Sequence, residues 1–364
     1  MEADMSRKYN FYAGPATLPV EVLEKIKDEI VDYQNMGMSL IETSHRSKEY
    51  DNVHNEAISL MKRLLGIPDG YTVLFLGGGA TLQFSMVPMN LMGKNGTCDI
   101  VVSGSWGKKA LSDAEKIGKV NVIFDGKESS YTTLPEPASV KPSAGSDYLH
   151  ITSNETIGGI QWKDWPDSGD IPMVCDMSSD ILSRPVPVEK FGLIYAGAQK
   201  NLGPAGVTVV IIRDDLIERS GDELTAYLSY AVHAGKNSLY NTPPVFSIYA
   251  LKLVMEWLEK LGGTAAIEKI NSEKADMIYS AIEESGDFYR SPVDPKYRST
   301  MNVVFRLPTE ELEKEFVSQA AEQGMIGLKG HRSVGGIRAS IYNSFPKEGV
   351  EKLTEFMRDF AKRR

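Results

Sequence analysis

The sequence predicts an α/β protein: a mostly parallel, seven-stranded sheet with flanking helices, joined to a smaller α+β C-terminal domain. Three observations carry this. Seven short, apolar segments rich in β-branched residues lie between residues 72 and 213. They lack the polar alternation of a one-sided sheet, which suits strands buried on both faces. Helix-like or glycine-rich segments separate several of them, which suits crossover connections, and after residue 213 the pattern changes to long helices with few strands.

Taken in order, Val20, Leu23, Ile26, Ile30 and Tyr33 follow helical spacing, with Pro19 at a favoured start. A second helix is expected through Tyr50, Val53, Ala57, Leu60, Met61 and Leu64, stopped by Gly66 and Pro68. The seven strands are TVLFL (72–76), DIVVS (99–103), VNVIF (120–124), DYLHIT (147–152), PMVCD (172–176), GLIYAG (192–197) and VTVVIIR (207–213). The stretch 126–146 is the most loop-like and is expected at the surface. Ile248, Leu251, Met255, Leu258 and Leu261 mark a long helix ending at Gly262-Gly263, and another follows through Ile267, Ile270, Met277, Ile278 and Ile282. A strand (301–307), a helix through Leu312, Phe316 and Ala320, a strand pair around 325–341 and a final helix through Leu353, Phe356, Met357 and Phe360 complete the chain. The expected units are an N-terminal segment 1–18 packing with the small domain, a large domain 19–261 and a small domain 262–364.

The chain has 364 residues and a formal net charge of −9, which argues against general nucleic-acid binding. An anion site must then be a local basic cluster set against the global field. No apolar run approaches the roughly 18 residues of a membrane span. The N-terminus MEADMSRKYN lacks the apolar core of an export signal, so the reducing cytoplasm is the expected location. Cys98 and Cys175 sit in apolar stretches and are expected as buried thiols, with no metal-ligand spacing.

Lys200 follows the strand 192–197 closely and is trailed by Gly203, Pro204 and Gly206. A lysine near a buried strand end is partly desolvated, which makes it a usable amine nucleophile, although a surface lysine in a turn reads the same way in isolation. Asp176 ends the strand 172–176, where open α/β sheets place ligand groups, or it caps the next turn. As a pair they suit pyridoxal phosphate: the lysine forms a Schiff base and the carboxylate keeps the pyridine nitrogen protonated. Gly77-Gly78-Gly79-Ala80-Thr81 opens a helix-like segment after a strand, which fits a cofactor phosphate, a nucleotide or a tight turn. Trp106 follows the strand 99–103 and is either core or a platform for a planar ring. His45-Arg46 and His331-Arg332, with Arg338 in the apolar segment GIRAS, imply a substrate carrying at least two anionic groups. His54, His150 and His233 are given no role.

These motifs resemble those of the phosphoserine aminotransferase family, in the class V group of fold-type I pyridoxal phosphate enzymes. The resemblance runs from end to end through YNFYAGPATLP (9–19), GMSLIETSHRSKEY (37–50), FLGGGATLQF (75–84), SNETIGG (153–159), CDMSSD (175–180), YAGAQKNLGPAG (195–206), NTPPVFSIY (241–249) and GHRSVGGIRASIYN (330–343). Where some members carry an arginine directly after the triple glycine, Ala80 and Thr81 stand here.

The resemblance implies that Lys200 binds the cofactor and moves the substrate α-proton, Asp176 pairs with the pyridine nitrogen, Trp106 stacks on the ring and Thr156 reaches its phenolic oxygen. It implies Gly79, Ala80 and Gln199 on the cofactor phosphate, joined by Asn241 and Thr242 from the neighbouring subunit of a homodimer. Arg338 would take the substrate α-carboxylate. His45, Arg46, His331 and Arg332 would take the side-chain phosphate or the distal carboxylate, with His331-Arg332 supplied in trans. The implied reaction converts 3-phosphohydroxypyruvate and L-glutamate to O-phospho-L-serine and 2-oxoglutarate, a serine-biosynthesis step, with a phosphorylated keto acid of vitamin B6 synthesis as a possible second substrate. No metal, nucleic acid or membrane is implied. A cysteine desulfurase would need a cysteine on a mobile loop, and none follows Lys200. A serine–pyruvate or alanine–glyoxylate aminotransferase has no use for two His-Arg pairs, and a non-catalytic pyridoxal phosphate or nucleotide-binding regulator has none for the anion cluster.

Overall fold

The computed structural model describes residues 7–93, 96–221 and 223–364; the first six residues of the expected N-terminal segment and of MEADMSRKYN lie outside the described residues. Helix α1 (Val20–Glu29) starts after the extended Pro19. It ends before Tyr33, which falls in a short 3₁₀ turn because Gln34 and Asn35 take left-handed backbone angles that no α-helix continues. Helix α2 (Lys48–Leu65) is capped by Ser47, whose hydroxyl accepts the Tyr50 N–H at 3.3 Å, and is closed by left-handed Gly66.

The sheet is built from β1 (Tyr71–Leu76), β2 (Thr97–Val102), β3 (Lys119–Asp125), β4 (Leu149–Thr152), β5 (Met173–Asp176), β6 (Leu193–Gly197) and β7 (Thr208–Arg213). These are the seven expected strands, with ends within two residues of the expected ones. Their order is β1-β7-β6-β5-β4-β2-β3. Only β7 runs against its neighbours; the other pairings are parallel. Both faces are buried. Val73, Phe75, Val209 and Ile211 pack with Leu60 and Met61 of α2 and with Leu251 and Met255 of α5 (Val245–Lys260). Leu74, Leu76, Val210 and Ile212 point the other way, onto Phe84 and Val87 of α3 (Gly79–Leu91) and Ala110 and Ala114 of α4 (Ser105–Ala114). Each fully buried apolar side chain of this kind contributes about 1.5–3 kcal/mol. Edge strand β3 keeps several side chains partly exposed.

Helix α6 (Gly263–Glu284) joins two cores: Ile267 and Ile270 pack under the sheet, whereas Ala275, Ile278 and Ile282 pack with Phe305, Phe316 and Phe356. The latter cluster also contains Phe11 from the N-terminal segment. It is framed by strands β8 (Asn302–Phe305) and β9 (Ile337–Ser340), which pair antiparallel, and by α7 (Glu310–Glu322) and α8 (Lys347–Lys362).

The strand pair expected around 325–341 is reduced to one antiparallel bridge, Lys329 with Ile337, flanked by two backbone hydrogen bonds of 2.8 Å, from the Gly330 N–H to the Gly336 carbonyl and from the Arg338 N–H to the Leu328 carbonyl. Met325–Ile326 itself lies parallel to Tyr9–Asn10, and β9 makes its longer ladder with β8. Gly327, at φ +86°, turns the chain away between them, and a Cβ there would stand 2.6 Å from the Tyr12 amide nitrogen. Within 126–146 the surface loop sends Leu134 and Val140 inward as anchors. Among the described residues no helix is long and apolar enough to cross a membrane.

Candidate active site

Strands β1, β2, β4, β5 and β6 run the same way, so their carboxyl ends share one edge of the sheet. Open α/β sheets bind ligands at that edge. Asp176 is the last residue of β5 and is buried; its carboxylate accepts the Ser178 N–H at 2.9 Å. Burial pushes its pKa up, opposed by the Ser178 hydrogen bonds and the Lys200 ammonium. Lys200 lies three residues beyond β6 and is also buried. Its Nζ donates to Thr156 Oγ1 at 2.6 Å and stands 5.5 Å from the Trp106 ring centroid. Burial lowers its pKa to about 8, with Arg338 acting in the same direction and Asp176 and Glu155 opposing. The N-terminal segment crosses this turn, where the Ala16 N–H donates to the Gln199 carbonyl at 2.9 Å.

Gly79, Ala80, Trp106, Thr156, Asp176, Gln199 and Lys200 line one cavity of about 120 Å³. Gly78 enters α3 in a left-handed conformation, and a Cβ on Gly79 would meet nothing within 4 Å, so the first turn of the helix faces open space. An open helix N-terminus is a phosphate seat. The indole Nε1 of Trp106 is buried without a hydrogen-bond partner. A reactive amine, a buried carboxylate, an aromatic face and an open helix end within one cavity fit pyridoxal phosphate.

Arg338, on β9, reaches toward the same place. Its Nη1 donates to the Thr156 carbonyl at 3.4 Å, and its Nε is buried without a partner. It lines an adjoining cavity of about 230 Å³ together with His331, Tyr131, Ile157 and Arg306. A half-buried guanidinium without a carboxylate partner among the described residues is a seat for an anion. His331 is half-buried and its ring is hydrogen-bonded to the Ser333 hydroxyl at 2.7 Å. Partial desolvation, then Arg338, Arg332 and Lys109, push its pKa down. Arg332 is exposed.

Five expected residues line neither cavity: Arg332, His45, Arg46, Asn241 and Thr242. His45 and Arg46 lie on the loop before α2, with Arg46 exposed. Asn241 and Thr242 are exposed just before α5, where the Asn241 side chain donates to the Thr242 carbonyl at 3.1 Å. A larger cavity of about 380 Å³, between the N-terminal segment and α6, contains none of the chemistry-bearing groups.

Asn154, Ser178 and Ser179 also line the cofactor cavity without having been singled out in the sequence. Asn154 donates to Ser179 at 2.8 Å and to Asn302 of β8 at 2.8 Å, tying the sheet edge to the second core. Glu155 was also missed. It is fully buried, accepts the N–H groups of Trp106 and Gly107, and is pushed up to about 7 by burial. The signal was a carboxylate inside SNETIGG, one residue before Thr156, in a stretch too polar to read as core. His54, His150 and His233 are buried; His150 bonds the Tyr195 hydroxyl at 2.9 Å. Both cysteines are buried and free.

Residues 8–353 match the model of the aminotransferase class-V family. A phosphoserine aminotransferase of Geobacillus kaustophilus is 55% identical over 359 residues, covering 99% of each chain. The solved phosphoserine aminotransferase of Bacillus circulans subsp. alkalophilus superposes with a TM-score of 0.97 at 53% identity, covering 98% of this chain and 99% of that one. A phosphoserine aminotransferase of Trichomonas vaginalis with pyridoxal phosphate bound superposes with a TM-score of 0.89 at 38% identity, covering 97% of this chain and all of that one. With its buried lysine, its strand-end carboxylate and this full-length similarity, the chain belongs to the class-V aminotransferase family.

Proposed function

We infer that the chain catalyses the reversible, pyridoxal phosphate-dependent transfer of an amino group from L-glutamate to 3-phosphohydroxypyruvate, giving O-phospho-L-serine and 2-oxoglutarate. The observation that carries the substrate class is Arg338: a guanidinium close to Lys200, with no carboxylate partner among the described residues, on the wall of a second cavity large enough for a further anionic group. The relatives above, named for this reaction, support it over the whole chain.

Bound at this site, pyridoxal phosphate supplies an electron sink for charge developing at the substrate α-carbon. Lys200 holds the cofactor and, as a neutral amine, takes and returns the α-proton. Its lowered pKa leaves a large fraction of that amine neutral near pH 8. Asp176 keeps the ring nitrogen protonated, and its lack of solvent makes that charge pairing strong. Thr156 orients the Lys200 Nζ through its hydroxyl. Trp106 covers a ring face, and Gly79, Ala80 and Gln199 take the cofactor phosphate at the α3 N-terminus. Arg338 fixes the α-carboxylate, common to both amino donors.

The distal phosphate or carboxylate goes to His45, Arg46, His331 and Arg332. Asn241 and Thr242 complete the cofactor-phosphate site from the partner subunit of a homodimer, and their exposed position at the start of α5 supports this. Supply of His331-Arg332 in trans rests on the family resemblance; in its own chain His331 already faces the Arg338 cavity. The working units are residues 19–261 as cofactor platform and 262–364 with 1–18 as the second body, in a cytoplasmic protein. The test is conversion of 3-phosphohydroxypyruvate and L-glutamate by purified protein, with phosphoserine identified by mass spectrometry. Formation of 2-oxoglutarate without phosphoserine would overturn the reading.

A further inference from the structure

Glu155 sits between two residues of the cofactor cavity, Asn154 and Thr156, in the two-residue strand Asn154–Glu155. Alternation along a strand sends its side chain to the opposite side. There it is fully buried against the start of α4. One carboxylate oxygen accepts the Trp106 N–H at 3.1 Å, and the other accepts the Gly107 N–H at 2.9 Å. These are first-turn amides, and the residue before the helix, Gly104, has no side chain to cap them. A carboxylate from another element supplies the cap, with the favourable sign for a helix N-terminus. The room for it comes from glycine: a Cβ on Gly104 would stand 2.5 Å from the Glu155 carboxylate carbon.

Among the described residues, Glu155 supplies the hydrogen bond that Trp106 makes outside its own helix. Its indole N–H is unpartnered among those residues; of the two cations over its ring, Lys109 at 4.3 Å belongs to the same helix, and Lys200 at 5.5 Å is the residue that would bind the cofactor. The height of the indole over the cavity is therefore set by the backbone of this turn. We propose that Glu155 is a positioning residue, fixing Trp106 over the cofactor ring by holding the first turn of α4. The proposal rests on the reading that Trp106 packs on that ring.

The test is a double-mutant cycle on cofactor affinity, with apo protein titrated spectroscopically with pyridoxal phosphate. Glu155→Ala should raise the cofactor Kd about tenfold, the scale of one lost charge-assisted hydrogen bond. Trp106→Ala should raise it at least as much, and the double variant should bind no worse than Trp106→Ala alone. Hydrogen exchange at residues 105–108 of the apo protein should accelerate in Glu155→Ala. Glu155→Gln keeps one acceptor and should give a smaller loss; it carries the cycle if Glu155→Ala does not fold. Additive losses, or unchanged affinity in both Glu155 variants, would overturn the proposal. Wild-type affinity in Trp106→Ala would instead overturn the stacking, and the proposal with it.

Discussion

Replacing Arg338 by glutamine should weaken both amino donors equally while leaving the cofactor in place. The guanidinium makes one long hydrogen bond, 3.4 Å to the Thr156 carbonyl, and lacks a carboxylate partner among the described residues. Its loss therefore removes little from the free protein, and it does not line the cofactor cavity. With substrate bound, a two-pronged arginine–carboxylate pair amounts to two charge-assisted hydrogen bonds at about 1.5–3 kcal/mol each. Glutamine retains one neutral donor at roughly 1 kcal/mol. The net loss is about 2–5 kcal/mol, or roughly 30- to 5,000-fold in kcat/KM. Single-turnover absorbance changes with L-glutamate and with phosphoserine read the two half-reactions separately. Equal losses are expected, because both donors carry an α-carboxylate. A loss confined to one donor, an unchanged efficiency, or an equal loss of cofactor affinity would refute the assignment.

Covalent capture of pyridoxal phosphate by the apo protein needs the neutral amine of Lys200, so its rate should rise with pH through a midpoint near the depressed value of about 8 rather than the ordinary 10.5. Asp176→Asn removes the carboxylate that favours the ammonium and should move that midpoint lower; stopped-flow absorbance across pH checks both, and a wild-type midpoint above 10 contradicts the burial argument. A heterodimer of one Lys200→Ala chain and one Arg332→Ala chain has one intact site only if Arg332 acts in trans, and should then recover up to about half of wild-type activity by site count. A purified heterodimer no more active than its parents would place Arg332 in cis.

The central sheet was legible because burial on both faces leaves runs such as VTVVIIR nearly continuous in apolar residues, and all seven appear as strands. Their order and the reversal of β7 were not, since no residue in β7 records which neighbours it meets. The same blindness applies at 325–341: the bridge between Lys329 and Ile337 is there, but Met325–Ile326 finds its partner at Tyr9–Asn10, a pairing that depends on how the N-terminal segment returns to the second core. Lys200 and Asp176 were legible because strand ends concentrate ligand groups. Glu155 was not, because its role depends on two backbone amides contributed by a distant helix. Asn241 and Thr242 were legible only through the family resemblance, whereas His45 and Arg46 stood out as one of two His-Arg pairs; within one chain none of the four meets either cavity.

The central claim is that this site selects a phosphorylated side chain. Its most direct test compares phosphoserine with unphosphorylated serine as amino donor to 2-oxoglutarate, in a coupled assay of purified holoenzyme. Donors arranged for an anion are left unpaired when the phosphate is missing, so kcat/KM should favour phosphoserine by at least about a hundredfold. Equal efficiency on the two donors would contradict the account and return the chain to an aminotransferase of small, uncharged side chains.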